Sequence, residues 1–412
     1  MTDSPTPTAL TAMTPFERRS GFSLASIYAL RMLGLFMVLP VFMLDARHYE
    51  GGNNTSDVGL AMGLYGLVQA ALQIPFGVAA DHWGRKRVIY LGLVLFAIGS
   101  LVGALATSVT GLAWARALQG GGAISAAVTA LLADQTRDEV RTKGMALIGG
   151  SIGLMFALSL VLGPFLAGIG GLKTIFIVTI FLALSGLCIV RWWTPVEPEP
   201  PQNKDRIEFS ELVLLLSHKD LLRLDLGVFV LYAVQLATWV SLPALISQAG
   251  IEPSQQGWVY LPTVLMSFVV MGATLFPMER RGLLRPLFLG SIALVIFVQL
   301  GWFYLSLGSI NIVSLSIFLF LFFCGFNILE ASQPSLASRL APVRARGAAL
   351  GVYNTLQSLG IFAGAAVGGW VASNWGAQGV FLTCTVFLTL WLVLAWPMVF
   401  VRKDTLQTDR AH

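Results

Sequence analysis

The sequence predicts an all-α polytopic membrane protein, with twelve transmembrane helices in two pseudo-symmetric six-helix halves. Three observations carry this. The 412 residues are 56% hydrophobic and only 11% charged, with a mean hydropathy of +0.76, whereas soluble chains carry about 25% charged residues. Apolar runs with few breaks, long enough to cross a bilayer at about 20 residues, recur twelve times. Finally, two polar motifs of the first half are echoed in the second. The apolar runs are continuous rather than alternating, which excludes a β-barrel.

The spans are expected near 22–44, 58–80, 88–107, 111–132, 145–168, 174–192, 221–244, 257–277, 286–307, 311–334, 347–371 and 377–400. Residues 1–20 are polar and rich in Pro and Thr, which predicts a disordered tail ending in Phe16-Glu17-Arg18-Arg19 at the membrane surface. The first apolar run has full span length and no cleavage site, so it does not read as a secretory signal. Span 1 holds Arg31 near its middle and Pro40 toward its outer end. In span 2, Tyr65, Gln69 and Gln73 recur at four-residue spacing and form one polar stripe.

Between spans 2 and 3 lies Gly77-Val-Ala-Ala-Asp81-His-Trp-Gly84-Arg85-Lys86-Arg87, a tight polar turn between two membrane helices. Glycine at Gly84 lets the chain reverse without a Cβ penalty, and Gly77 is expected to let a neighbouring helix approach closely. Asp81 and Arg85 set opposite charges on one membrane face. Span 4 carries Arg116, Gln119 and Gly120-Gly121-Gly122, with Asp134 at its end. Span 5 contains Gly149, Gly150, Gly153 and then Gly163-Pro164-Phe165-Leu166-Ala167-Gly168.

Pro195, Pro198, Pro200 and Pro201 mark a linker over 194–220, in which Ile207, Phe209, Leu212, Val213 and Leu216 suggest a short amphipathic surface helix. It separates a first bundle, 21–193, from a second, 221–402, with a tail at 403–412. The chain ends about ten residues after the last span, so no appended soluble domain is expected. Across the linker, Asp81-His-Trp-Gly84-Arg-Lys-Arg87 is echoed by Glu279-Arg-Arg-Gly282-Leu-Leu-Arg285, and Val140-Arg-Thr-Lys-Gly144 by Val343-Arg-Ala-Arg-Gly347.

Charge reports orientation. All 26 Lys and Arg except Arg31, Arg47, Arg116 and Lys173 fall on the side shared by the termini and the Asp81 loop, which predicts that side as cytoplasmic. The net charge of +5 then reflects topology and not a nucleic-acid partner. Cys188, Cys324 and Cys384 all lie in spans, which argues against a disulfide framework or a zinc site. The four histidines are in loops or at the end of the chain. With no metal cluster, nucleophile constellation or phosphate loop, the sequence predicts no enzyme and no cofactor. Energy must come from an ion gradient, with protons suspected, or from the solute's own gradient.

The turn matches Gly-x-x-x-Asp-x-x-Gly-Arg-Arg/Lys at every defining position and resembles the loop 2–3 signature of the major facilitator superfamily. Arg116-x-x-Gln119-Gly120 and the Gly163-Pro164 motif are similar to those of its drug:proton antiporters, although Ser159 stands where that pattern has glycine. Arg31-Met-Leu-Gly, Gln73-Ile-Pro-Phe-Gly77 and Phe326-Asn-Ile-Leu-Glu330-Ala are similar to a bacterial inner-membrane, antiporter-like subgroup. The resemblance covers about residues 15–402. It implies the major facilitator fold, with the bundles related about the membrane normal around one cavity, in a bacterial inner membrane and with both termini cytoplasmic.

The resemblance also implies roles. Gly77, Asp81, Gly84, Arg85, Lys86 and Asp134 would form a conformational gate, with Arg85 bridging Asp81 and Asp134. Asp81 would sit against the start of span 11, where a helix dipole favours an anion. The plainer reading of Asp81 is a helix-capping turn carboxylate. Arg31, Tyr65, Gln69, Gln73, Arg116, Gln119, Asn327 and Glu330 are candidates for lining the cavity or carrying a proton, with Tyr232, Gln235, Trp239, Asn354 and Gln357 beside them by position. The plainer reading of Arg31 and Arg116 is structural arginines on backbone carbonyls, and that of Glu330 a helix-end carboxylate wetted by the cytoplasm. Asp225, about a turn inside the membrane, reads as a wetted boundary acid. Gly163, Pro164, Gly360 and Gly364 read as helix packing, the stripe Gly360, Gly364 and Gly368 facing span 2. The expected function is secondary transport of a small molecule by a monomer in the lipid bilayer, as proton-coupled efflux of small hydrophobic or amphipathic compounds. Uptake of a polar metabolite and a non-transporting sensor or assembly partner are the rivals. A large aromatic cavity favours the first, dense polar lining the second, and a degraded Asp81 motif would favour the third.

Overall fold

In lipid only a helix satisfies every backbone group within one segment, and the apolar runs fold accordingly. A computed structural model of the chain describes residues 12–197, 219–308, 310–341 and 346–398. Among these the long elements are all helical, and an isolated bridge pairs Glu50 with Ser108. The helices are α1 (Pro15–Met37), the short α2 (Phe42–Asp45), α3 (Thr55–Trp83), α4 (Arg85–Leu105), α5 (Val109–Gly120), α6 (Ser125–Asp134), α7 (Asp138–Cys188), α8 (Lys219–Gln248), α9 (Gly257–Arg280), α10 (Leu284–Leu305), α11 (Ile312–Leu340) and α12 (Arg346–Ala395).

Several boundaries differ from the sequence expectation. Among the described residues nine helices are long and apolar enough to cross a membrane. α7 and α12 each hold two expected spans, reversing at Gly170-Gly171 and at Gly376. Gly171 and Gly376 have φ of 67° and 63°, a region that favours glycine. Asp45 stabilises the first reversal, because its Oδ2 accepts a 2.7 Å hydrogen bond from the Leu172 amide. Span 4 is two pieces, α5 and α6, separated at Gly121–Ile124.

The expected tail is also corrected at its end. Residues from Pro15 onward are helical, because Thr14 and Glu17 form a reciprocal capping box at 2.8 and 3.2 Å. Glu17 is buried and accepts a 2.8 Å bond from Arg137 Nε; that bond pushes the guanidinium further above its ordinary pKa. The amphipathic helix expected over 207–216 lies outside the described residues.

The chain divides into two compact units, residues 1–205 with 253–257, and residues 206–252 with 258–412. Within each, the first helix packs most extensively on the helix that holds the fifth and sixth spans, α1 on α7 and α8 on α12. Small residues permit this contact. A Cβ at Gly163 would fall 2.4 Å from the Met37 carbonyl oxygen; at Gly360 and Gly364 it would fall 2.4 and 2.1 Å from the carbonyls of Phe229 and Ala233. The Gly360 stripe therefore packs on α8, where the sequence suggests span 2: spacing four marks a close face but does not say whose. Many large apolar side chains, such as Phe181, Trp114 and Trp258, face outward, as a lipid-facing surface requires.

Candidate functional site

Three clusters of polar side chains stand out against the apolar helices. The first is at the turn between α3 and α4. Gly84 ends one helix and starts the next with φ 97°. The reversal places Asp81 one helical turn before Arg85, and the two pair at 3.3 Å. Arg85 is 7% exposed and its Nε also donates to Asp134, at the end of α6. One guanidinium thus lies between two carboxylates. Gly77 differs from expectation: a Cβ there would make ordinary contact with Ala126 at 3.9 Å, so alanine would fit. The docking of Asp81 at the start of span 11 cannot be followed to Arg344, which lies outside the described residues.

Glu197 joins this turn without having been anticipated. Its carboxylate accepts from the backbone amides of Arg85 at 2.6 Å and Lys86 at 3.2 Å, satisfying donors that a helix start leaves free. Lys86 Nζ donates to the Thr194 carbonyl at 3.0 Å. Gln135 Nε2 donates to the carbonyls of Pro195 and Val196, both at 3.2 Å, and Ser20 donates to Gln135 Oε1. The first residues of the linker are thereby fastened to the turn. A one-letter pattern could not show this, since Glu197 sits among prolines with no periodicity. The second unit carries a related pair, in which Arg339 at the end of α11 donates to Glu279 at the end of α9.

The second cluster is inside the first unit. Arg31 on α1 is fully buried and donates 2.9 Å from Nη2 to the Tyr65 hydroxyl. Arg116 on α5, 1% exposed, stacks its guanidinium 4.8 Å from the centre of the same Tyr65 ring. Its Nη1 donates to Gln119 Oε1 at 2.8 Å, and Gln119 Nε2 donates to Ser100 at 2.9 Å. Gly120 lets α5 come this close, because a Cβ there would meet the Tyr65 carbonyl at 2.3 Å. An arginine in a bilayer interior costs at least about 2.5–3.5 kcal/mol, and a cation–π contact returns about 0.5–2 kcal/mol. Neutral partners leave that cost partly uncompensated. Gln69 and Gln73 complete the α3 face, each with a buried Oε1 that lacks a hydrogen-bond partner.

The third cluster is inside the second unit. Glu330 on α11 accepts a 2.6 Å bond from the Tyr232 hydroxyl on α8, while its Oε2 is buried without a partner. The Tyr232 ring meets Phe326 edge-on at 5.9 Å. Tyr353 on α12 lies within electrostatic reach of both Glu330 and Asp225. Asp225, expected to be a wetted boundary acid, is instead 3% exposed with an unpartnered Oδ1. Distance from the helix end did not reveal that neighbouring helices cover it. Asn327 donates 2.8 Å to Ser267, and Trp239 packs on Tyr260 at 5.3 Å; Gln235 is buried and Asn354 half-buried. No group of three His, Cys, Asp or Glu able to hold a metal occurs among the described residues.

Comparison with known proteins adds four findings. The family model of the Major Facilitator Superfamily matches residues 22–365 and 224–411. The chain is 38% identical over 390 residues to the inner membrane transport protein YajR of Escherichia coli (strain K12), covering 94% of this chain and 84% of that protein. It is 29% identical over 358 residues to multidrug resistance protein MdtH of Photorhabdus laumondii, covering 82% and 83%. In structure it is similar to a bacterial homologue of the human lysosomal transporter Spinster, captured inward-facing and occupied. That similarity has a TM-score of 0.74 and 14% identity, covering 93% of this chain and 97% of the other.

Proposed function

The chain belongs to the Major Facilitator Superfamily, and from that premise we propose that it performs proton-coupled efflux of small hydrophobic or amphipathic compounds by alternating access. Membership makes it a membrane transporter and not an enzyme. The carboxylate of Glu330 carries the proton-coupling reading: it is held by one tyrosine hydroxyl, with its second oxygen buried and unpartnered. Such a group can be neutral in one state and charged in another, because its surroundings neither fully solvate nor fully neutralise the anion. Similarity to a multidrug resistance protein supports efflux over uptake, as do the aromatic side chains at Tyr232, Phe326, Trp239 and Tyr260.

The gate is proposed to be the Asp81–Arg85–Asp134 cluster, and Glu197 ties its movement to the linker. The protein acts as a monomer, driven by the proton gradient without a cofactor, with its termini in the cytoplasm. The test is transport in everted membrane vesicles from cells that overproduce the protein. On energisation, vesicles should accumulate amphipathic fluorescent compounds above a control lacking the protein, and a protonophore should abolish the difference. Accumulation indifferent to the protonophore contradicts proton coupling.

A further inference from the structure

We infer that Arg31 and Arg116 form a binding site for an acidic group, so that the compounds carried are organic anions with an apolar body. The inference rests on the transport reading and narrows its substrate class. Two permanent cations converge on one side chain: Arg31 bonds the Tyr65 hydroxyl at 2.9 Å and Arg116 stacks 4.8 Å from the Tyr65 ring centre. Both are at least 99% buried. Their other contacts are neutral, namely Gln119 for Arg116 and the Phe96 ring, 5.8 Å from Arg31. Three donor nitrogens, Arg31 Nε, Arg31 Nη1 and Arg116 Nε, are buried with no hydrogen-bond partner.

Five acids of this unit are engaged elsewhere. Glu17 holds Arg137, Asp45 holds the Leu172 amide, Asp81 and Asp134 hold Arg85, and Glu197 holds the start of α4. No carboxylate of the described residues bonds to either buried arginine. Structural arginines inside a membrane pair with acids or with backbone carbonyls, and among the described residues these two bond to neither. Like charges this close repel in a medium of low dielectric, and an incoming anion removes that repulsion. A carboxylate matches the guanidinium fork in a way that a neutral dipole does not. A cationic compound would add a third positive charge and is excluded. The rings of Phe96 and Tyr65, buried against the two guanidinium groups, are the apolar neighbours of such an anion, and the unpartnered Oε1 atoms of Gln69 and Gln73 on the same α3 face accept from any hydroxyl or amide it carries.

The test uses three probes with one tail and different heads: octanoate, octanol and octylammonium. Each is titrated at pH 7.5 onto the purified full-length chain in detergent, and thermal unfolding is followed by tryptophan fluorescence. Partition into micelles is shared by all three, so the head group decides. Octanoate should raise the unfolding midpoint saturably and the other two should not. Arg31→Lys and Arg116→Lys keep the charge but lose the fork, and each should raise the half-saturating octanoate concentration about tenfold. If octanol or octylammonium stabilises as well as octanoate, the inference is overturned. It is equally overturned if both Lys variants respond like wild type. The wild-type comparison needs no variant, so misfolding of a mutant leaves the test decisive. Octanoate binding with no proton-driven transport supports this site and contradicts the transport reading. Proton-driven transport without an octanoate effect does the reverse.

Discussion

The hydroxyl of Tyr232 donates a 2.6 Å hydrogen bond to Glu330, joining α8 to α11 inside the second unit. Glu330 keeps a second oxygen without a partner, and Tyr353 stands within electrostatic reach of both Glu330 and the buried Asp225. Two acids and two tyrosines therefore share one apolar interior. The first unit has the opposite content, two arginines around Tyr65. The Tyr65 cluster is thus built on guanidinium groups and the Tyr232 cluster on carboxyl groups.

The Arg85 cluster predicts a conformational phenotype. Asp81→Asn removes one of the two charges on Arg85. Asp81 is about half exposed, so the loss of stability should stay near 1 kcal/mol or below. Transport should fall while the protein still inserts, and thiol labelling of introduced cysteines should rise on the cytoplasmic side. Wild-type transport together with wild-type labelling would reduce Asp81 to a turn residue.

Glu197 predicts a stability effect with a local cause. Glu197→Gln weakens two hydrogen bonds to the first amides of α4. A lost helix cap costs about 1 kcal/mol, which should lower the unfolding midpoint by roughly 2 °C. Limited proteolysis should also cut faster near the start of the linker. No change in either would mean that the contact carries no weight.

Glycine packing gives a paired prediction. Gly364→Ala would place a Cβ 2.1 Å from the Ala233 carbonyl oxygen, a backbone atom that cannot turn aside. It should cost about 1–3 kcal/mol and lower the yield of folded protein. Gly77→Ala meets only the Ala126 methyl at 3.9 Å and should be stable. Comparing size-exclusion recovery and melting of the two variants checks this, and equal behaviour would contradict it.

Orientation follows from the loop charges. An introduced cysteine at Asn53, which is exposed, should react with an impermeant thiol reagent added to intact cells. A cysteine at Gln202 should react only after the cells are opened. The reverse pattern would invert the topology and the gate assignment with it.

Much of this was legible in the sequence, and the reasons are physical. Apolar length reports spans directly, so the twelve segments emerged even where two of them follow each other without a loop, at the reversals of Gly171 and Gly376. The Asp81 motif is local, and its ion pair with Arg85 is set by one turn of helix. Contacts between distant segments were not legible. The partner of the Gly360 stripe was misread, because spacing fixes a face and not a neighbour. Asp225 was misjudged, because depth along a helix does not report what packs over it. Glu197 was missed, because a cap contributed from over a hundred positions away leaves no pattern.

The central claim is that Glu330 couples the proton to transport, and the most direct measurement is Glu330→Gln in proteoliposomes. Two assays are run on the same preparation: accumulation driven by an imposed pH gradient, and counterflow exchange with no gradient. Gradient-driven accumulation should fall to the level of protein-free liposomes while exchange stays within about twofold of wild type, since the neutral amide keeps the Tyr232 contact but cannot release a proton. Gradient-driven accumulation equal to that of wild type would contradict the account and move the proton to another group.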